Sequence, residues 1–190
     1  MSFKNQHQQS ESKELIELRT WDWIDRFIIK ENICPFAQKE RANDRIELQI
    51  FDTNTVATTA DIVVASLHKL QQTPTIETSL LIANTGLERF DEYLYHLDEA
   101  SYQLARCGYE GVFQLASFHP EYQFEGEDKD DLSNFTNRAP YPIFHIIREQ
   151  SITNALLTFK YPERIPQRNI EHCKKLGPAY FKALLSSALK

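Results

Sequence analysis

SLLIA, residues 79–83, is a short continuous apolar run followed by the turn residues Asn84-Thr85-Gly86. A strand with one wet face alternates apolar and polar residues, so an unbroken run of this length predicts a strand buried on both faces. Such strands belong to sheets covered by helices on each side, and the flanking sequence supplies the helices. Upstream, RIELQIF at 45–51 alternates as a strand should, with Ile46, Leu48 and Ile50 on one face. Between these two strands, residues 55–71 carry Val56, Val63, Leu67 and Leu70 at helical spacing. Downstream, Leu87, Phe90, Leu94, Leu97 and Leu104 repeat the helical period, with Gly108 placed to end it, before a third strand, GVFQLASF at 111–118. A long helix over residues 11–30, with Leu15, Leu18, Trp21, Ile24 and Ile28 as its apolar stripe, precedes them all. The order predicts an α/β (or α+β) fold: a small, mostly parallel sheet of about three strands with helical crossovers.

The texture changes after Phe118. Residues 119–142 lack periodicity and contain Pro120, Pro140 and Pro142 around the acidic run 125–131, which reads as a solvated loop or lid. Helices are expected at Ile143–Glu149, at Ser151–Phe159 with Ser151 as N-cap, and at about Pro166–Leu176, giving a helical C-terminal third. Gly177-Pro178 should stop the last of these. Residues 1–10 are expected to be disordered, 11–178 to form one domain, and 179–190 a terminal helix or tail.

The 190 residues are 42% hydrophobic and 25% charged, an ordinary balance for a folded domain. No segment approaches the about 20 apolar residues that span a bilayer, so no membrane association is expected. MSFKNQHQQSESKE has neither an apolar core nor an Arg-rich amphipathic pattern, and the expected location is the cytoplasm. Three scattered cysteines (Cys34, Cys107, Cys173) form neither a disulfide framework nor a zinc-finger spacing. The net charge of −6 argues against nucleic-acid binding. Residues 121–131 carry −5 and residues 132–190 carry +6, so the C-terminal third has room for a local anion site.

The candidate functional residues lie mostly beyond the third strand. His119-Pro120 follows it directly, at the strand end where α/β sheets bind ligands, and a histidine there can serve as acid, base or ligand. Asn137-Arg138 is stiffened by Pro140 and Pro142, so Arg138 is placed to grip a carboxylate or phosphate; Tyr141 lies between the prolines. On a helix, His145, Arg148 and Glu149 share one face. Cys34-Pro35 ends the first long helix, where a negative dipole end discourages the thiolate. Arg168-Asn169 would complete an anion pocket or cap a helix. No Walker loop, GxGxxG, HExxH, GxSxG or EF-hand pattern is present.

The blocks WIDRFIIKENICPFA, GVFQLASFHPEYQF, NFTNRAPYPIFHIIRE and YPERIPQRNI together resemble a family of bacterial and plant-plastid proteins catalogued as domain of unknown function 1415. The resemblance covers roughly residues 15–177. It implies that Cys34, His119, Asn137, Arg138, Tyr141, His145, Arg148 and Arg168 belong to the family pattern, and it implies no activity. This chain departs from the pattern in its longer, more acidic 125–131 loop.

Three functions fit these residues. The first is an enzyme acting on a small anionic metabolite, with His119 and His145 exchanging protons, Cys34 as a nucleophile, and Asn137, Arg138, Tyr141, Arg148 and Arg168 binding substrate. It requires His119, Arg138 and His145 to share one pocket. The second is a metal or haem site built from His119, His145 and Cys34. The third is a non-catalytic adaptor that binds a protein through its Pro-Tyr-Pro surface.

Overall fold

A computed structural model describes residues 11–53, 57–157 and 159–186. The expectation of disorder at 1–10 falls outside the described residues. The chain begins with α1 (Lys13–Trp23), capped by the Ser12 hydroxyl, which accepts from Leu15 N. It continues without a break into a π-helical stretch, Ile24–Ile29. The buried side is Ile16, Thr20, Trp23, Ile24, Phe27 and Ile28, while Leu18 is exposed. The stripe read from the sequence is therefore corrected. Thr20, whose hydroxyl donates to Ile16 O, disguises the inner face with a polar residue. The wider π turn then moves the register of everything after it.

A short helix, α2 (Ala37–Ala42), leads to β1 (Ile46–Asp52). Helix α3 (Thr59–Gln72) opens with a reciprocal capping box between Thr58 and Asp61 and delivers the chain to β2 (Thr78–Thr85). Helix α4 (Phe90–Arg106) ends in a Schellman motif: Gly108 at φ 76° donates to Ala105 O, and Tyr109 N donates to Leu104 O. Strand β3 (Phe113–Phe118) follows.

The larger correction concerns residues 143–149. Ile143–Arg148 is not a helix but a fourth strand, β4, inserted between β2 and β3 in the order β1-β2-β4-β3. It runs antiparallel to both neighbours, so the sheet is mixed, with β1 and β2 its one parallel pair. IFHIIR misleads because both faces of β4 are buried: Ile143 points into one core and Phe144 and Ile146 into the other. No polar alternation survives to reveal the period of two. Helix α5 (Glu149–Leu157) starts two residues before Ser151, whose hydroxyl is not a cap but donates to the Glu77 carboxylate. Helix α6 (Ile165–Ser186) breaks at Gly177 before Pro178, as the sequence predicts.

The sheet separates two cores. Leu81, Ala83, Phe113, Phe144 and Ile146 pack against α3 and α4 through Val63, Leu67, Tyr93 and Ala100. Leu80, Ile82 and Ile143, with Ile46, Leu48 and Ile50 beside them, pack against α1, the π stretch and α6. No helix among the described residues is long and apolar enough to cross a membrane.

Candidate functional site

Strand pairing fixes the floor of a cavity of about 330 Å³ on the α1 and α6 side of the sheet. Leu80, His145 and Ala116 lie side by side across β2, β4 and β3, and Ile46, Thr78 and Ile147 form a second row across β1, β2 and β4. Three walls rise from this floor. Trp23, Ile24 and Ile28 come from α1 and the π stretch; Ile33, Cys34, Phe36, Ala37 and Glu40 come from the turn into α2 and from α2 itself; Ser151, Ile152 and Ala155 come from α5. Thr136 and Asn137 close one end. Arg41 stacks on Trp21 (3.8 Å to the ring centre) and pairs with Asp25 (3.2 Å), which locks α2 against the first helix.

His145 is the one imidazole at this surface among the described residues. Its Nε2 lies 2.5 Å from Thr78 Oγ1, and that hydroxyl lies 2.7 Å from Ile146 O. Thr78 has a single hydroxyl hydrogen, which the Ile146 carbonyl takes, so Thr78 accepts from His145 Nε2–H. The remaining nitrogen, Nδ1, then carries the free lone pair. Burial pushes the His145 pKa down to about 4, which keeps the ring neutral at physiological pH. The surface it exposes lies inside the cavity.

Cys34 lines the same cavity, and its setting differs from the sequence reading. The residue follows the π stretch but sits at the start of α2, and the backbone amides of Phe36 and Ala37 and the charge of Arg168 favour its thiolate. Burial outweighs them and raises the thiol pKa. Asn137 also lines the cavity, though its amide is committed: it donates to Ser117 O (3.1 Å) and accepts from the Thr136 hydroxyl (3.0 Å).

The other sequence candidates lie elsewhere. His119 is fully buried between Phe90 and Tyr93 on the α4 side, with Nε2 donating to Leu87 O (2.9 Å) and Nδ1 accepting from Glu121 N (3.0 Å). Both nitrogens are used, and burial lowers its pKa. Arg138 ties the acidic loop to the fold by donating to Tyr122 O and Lys129 O, not by pairing with the loop's acids. Arg148 donates to the carbonyls of Leu70, Thr73 and Ile76, and Arg168 to Asn32 O and Asn169 Oδ1. Asn134, fully buried, secures the same acidic loop: its Oδ1 accepts from Phe124 N, and its Nδ2 donates to Asp128 O and Lys129 O. His119, Arg138 and His145 are therefore not brought to one pocket. No three His, Cys, Asp or Glu side chains among the described residues stand close enough to hold a metal ion.

Tyr141 lines a second cavity of about 430 Å³, beyond the carboxyl end of β2. There it donates to Glu11 (2.6 Å), and Arg19 donates to both (2.5 Å to Glu11, 3.1 Å to Tyr141). Burial and Glu11 push the Tyr141 pKa up to about 12. A cleft thus lies beyond the strand ends, lined by Pro120 and Glu121 but not by His119, whereas the cavity holding His145 and Cys34 lies over the sheet face. Trp23, Glu40, Thr78 and Ala116 carried no signal in the sequence, because each comes singly from a different element.

A family model described as protein of unknown function (DUF1415) matches residues 15–183. No curated protein and no solved structure matches the chain.

Proposed function

The chain belongs to the DUF1415 family of proteins of unknown function, and from the cavity on the α1 side of its sheet we propose that it binds a small, uncharged, mainly apolar molecule there, with His145 as the acid–base group. The observation that carries this reading is the company His145 keeps. A neutral imidazole with a free lone pair faces a concave surface built from Trp23, Ile24, Ile28, Leu80 and Phe118, beside a protonated thiol at Cys34. Concave apolar sites with a few placed polar groups are the usual form of small-molecule pockets. A base of low pKa in such a site accepts a proton only while its substrate is bound and water is excluded.

The charge of the ligand follows from the lining. No Arg or Lys among the described residues lines this cavity, and its two carboxylates, Glu40 and Glu77, share the guanidinium of Arg45. The arginines that the sequence suggested for anion binding are engaged with backbone carbonyls or with Asn169. A neutral substrate is therefore a better match than an anionic one.

The test uses the neutral dye N-phenyl-1-naphthylamine, which fluoresces strongly in apolar surroundings. Wild-type protein should bind it at micromolar concentration. Ala116→Leu, which fills the floor beside His145, should weaken binding at least about tenfold while the melting temperature stays within a few degrees. Equal binding by both proteins would place the dye outside this cavity, and an absence of binding to wild type would remove the reading altogether.

A further inference from the structure

Ser151 stands where the α5 wall of the His145 cavity meets the floor, and its hydroxyl donates to Glu77 Oε2, whose carboxylate lines the same cavity. The other oxygen of that carboxylate, Oε1, is held by Arg45. Arg45 is fixed in turn, because its two remaining nitrogens reach Glu40 (3.5 Å) and Thr75 O (3.4 Å). A hydroxyl bonded to a carboxylate that a third group orients is the arrangement of an activated nucleophile and its base. The Glu77 side chain is 16% exposed, so a substrate can reach it while most bulk water is kept away. His145 leans toward the same end of the floor. Its Nε2 lies 2.5 Å from Thr78 Oγ1, and Thr78 follows Glu77 directly in the chain.

From this gathering of hydroxyl, carboxylate and imidazole on one apolar floor we propose that the protein hydrolyses a small neutral ester, with Ser151 as the nucleophile and Glu77 as its base. This inference rests on the cavity reading above and adds the reaction and the substrate class. Ser151 Oγ bonds to the ester carbonyl carbon as its proton passes to Glu77 Oε2. The amide of Ser151 lies in the first turn of α5, where the helix supplies it no acceptor, and it can donate to the oxyanion. The bond from the carbonyl carbon to the alcohol oxygen then breaks, and the departing alcohol takes the proton back from Glu77. Water next attacks the acyl-serine and gives its proton to His145 Nδ1. The released Ser151 oxygen recovers that proton as the acid leaves. The acid ionises, and a cavity whose charged lining among the described residues is Glu40 and Glu77 repels it.

Two neutral, largely apolar reagents test the assignment: diisopropyl fluorophosphate and p-nitrophenyl butyrate. Wild-type protein should release fluoride from the first and carry a diisopropyl phosphoryl group on the peptide containing Ser151, read by mass spectrometry. Attachment to another residue, or no attachment, overturns the proposal. With the ester, wild type should give a burst of p-nitrophenolate of about one equivalent per chain and then turn over slowly. Ser151→Ala should lower the burst rate at least about 100-fold and Glu77→Gln at least about 30-fold, with N-phenyl-1-naphthylamine still bound as by wild type. His145→Gln should slow the turnover at least about tenfold more than the burst. Undiminished hydrolysis by Ser151→Ala would equally overturn the assignment. A variant that also loses the dye is misfolded, and the wild-type labelling then decides. Should the dye bind wild type while neither reagent reacts, the reaction is wrong and the cavity reading stands. Failure of the dye itself to bind wild type is the separate result that removes the cavity reading.

Discussion

At His145 the imidazole is neutral because charging it inside the protein means giving up solvation with no acid to compensate. Its pKa falls from 6.5 to about 4. Between those values the unfolded chain binds more protons than the folded one, so stability is full above pH 6.5, declines as pH drops, and levels off below about 4. Complete protonation would remove about 3 kcal/mol. His145→Gln should therefore differ most from wild type above neutrality, with the gap narrowing by acid pH; urea unfolding from pH 7.5 to 4.5 measures it. A gap independent of pH would mean that the ring titrates alike in the folded and unfolded states, as an exposed imidazole does. Asn137 and His119 show how far single residues could be read in advance. The segment around them was identifiable from its prolines and its place after β3. Which way each side chain points was not, and direction decides everything here: His119 turns to the α4 side, where Leu87 O and Glu121 N use both its nitrogens.

Among the elements, the turn after β2 has the narrowest tolerance. Gly86 has φ 87°, and a Cβ at this position would fall 1.7 Å from Thr53 Oγ1. Gly86→Ala must both strain the backbone and displace Thr53, whose hydroxyl donates to Thr85 O (3.0 Å). A loss of about 2–4 kcal/mol in denaturant unfolding is expected, partly restored by adding Thr53→Ala, which removes the overlapping hydroxyl. A loss below about 0.5 kcal/mol would show that the turn relaxes freely. Elements with local signals were readable from sequence: the alternation of β1, the apolar run of β2, and the Gly108 cap of α4. β4 was not. Its six residues are covered on both faces, His145 turns toward the cavity and Arg148 donates to backbone carbonyls, so helix and strand periods fit them equally well. The π stretch is invisible for a related reason: the bulge that shifts the register is a backbone event without its own residue signature.

On the scale of the whole molecule, the π stretch, α6 and the long loop meet at Phe181. Its ring stacks on Phe135 of the loop (4.0 Å between centres) and meets Phe27 of the π stretch edge-on (5.5 Å). Phe181→Ala should cost about 3–5 kcal/mol and loosen the π stretch that walls the cavity. The prediction is checked by unfolding midpoint together with dye affinity, which should fall too. A stable variant with unchanged dye binding would show that the cavity stands without α6. The sequence by itself determined the long helices and three of the strands, though not the short α2, together with the break at Gly177 and the segments from which a site would come. These are set by hydrophobic period and turn chemistry, which act within a dozen residues. Only the tertiary structure decided that β4 lies between β2 and β3, that His145 shares a cavity with Cys34, and that His119 and Arg138 hold the fold. Those outcomes depend on which distant segments cover each face of a strand, and burial on both faces removes the local contrast that would have announced them.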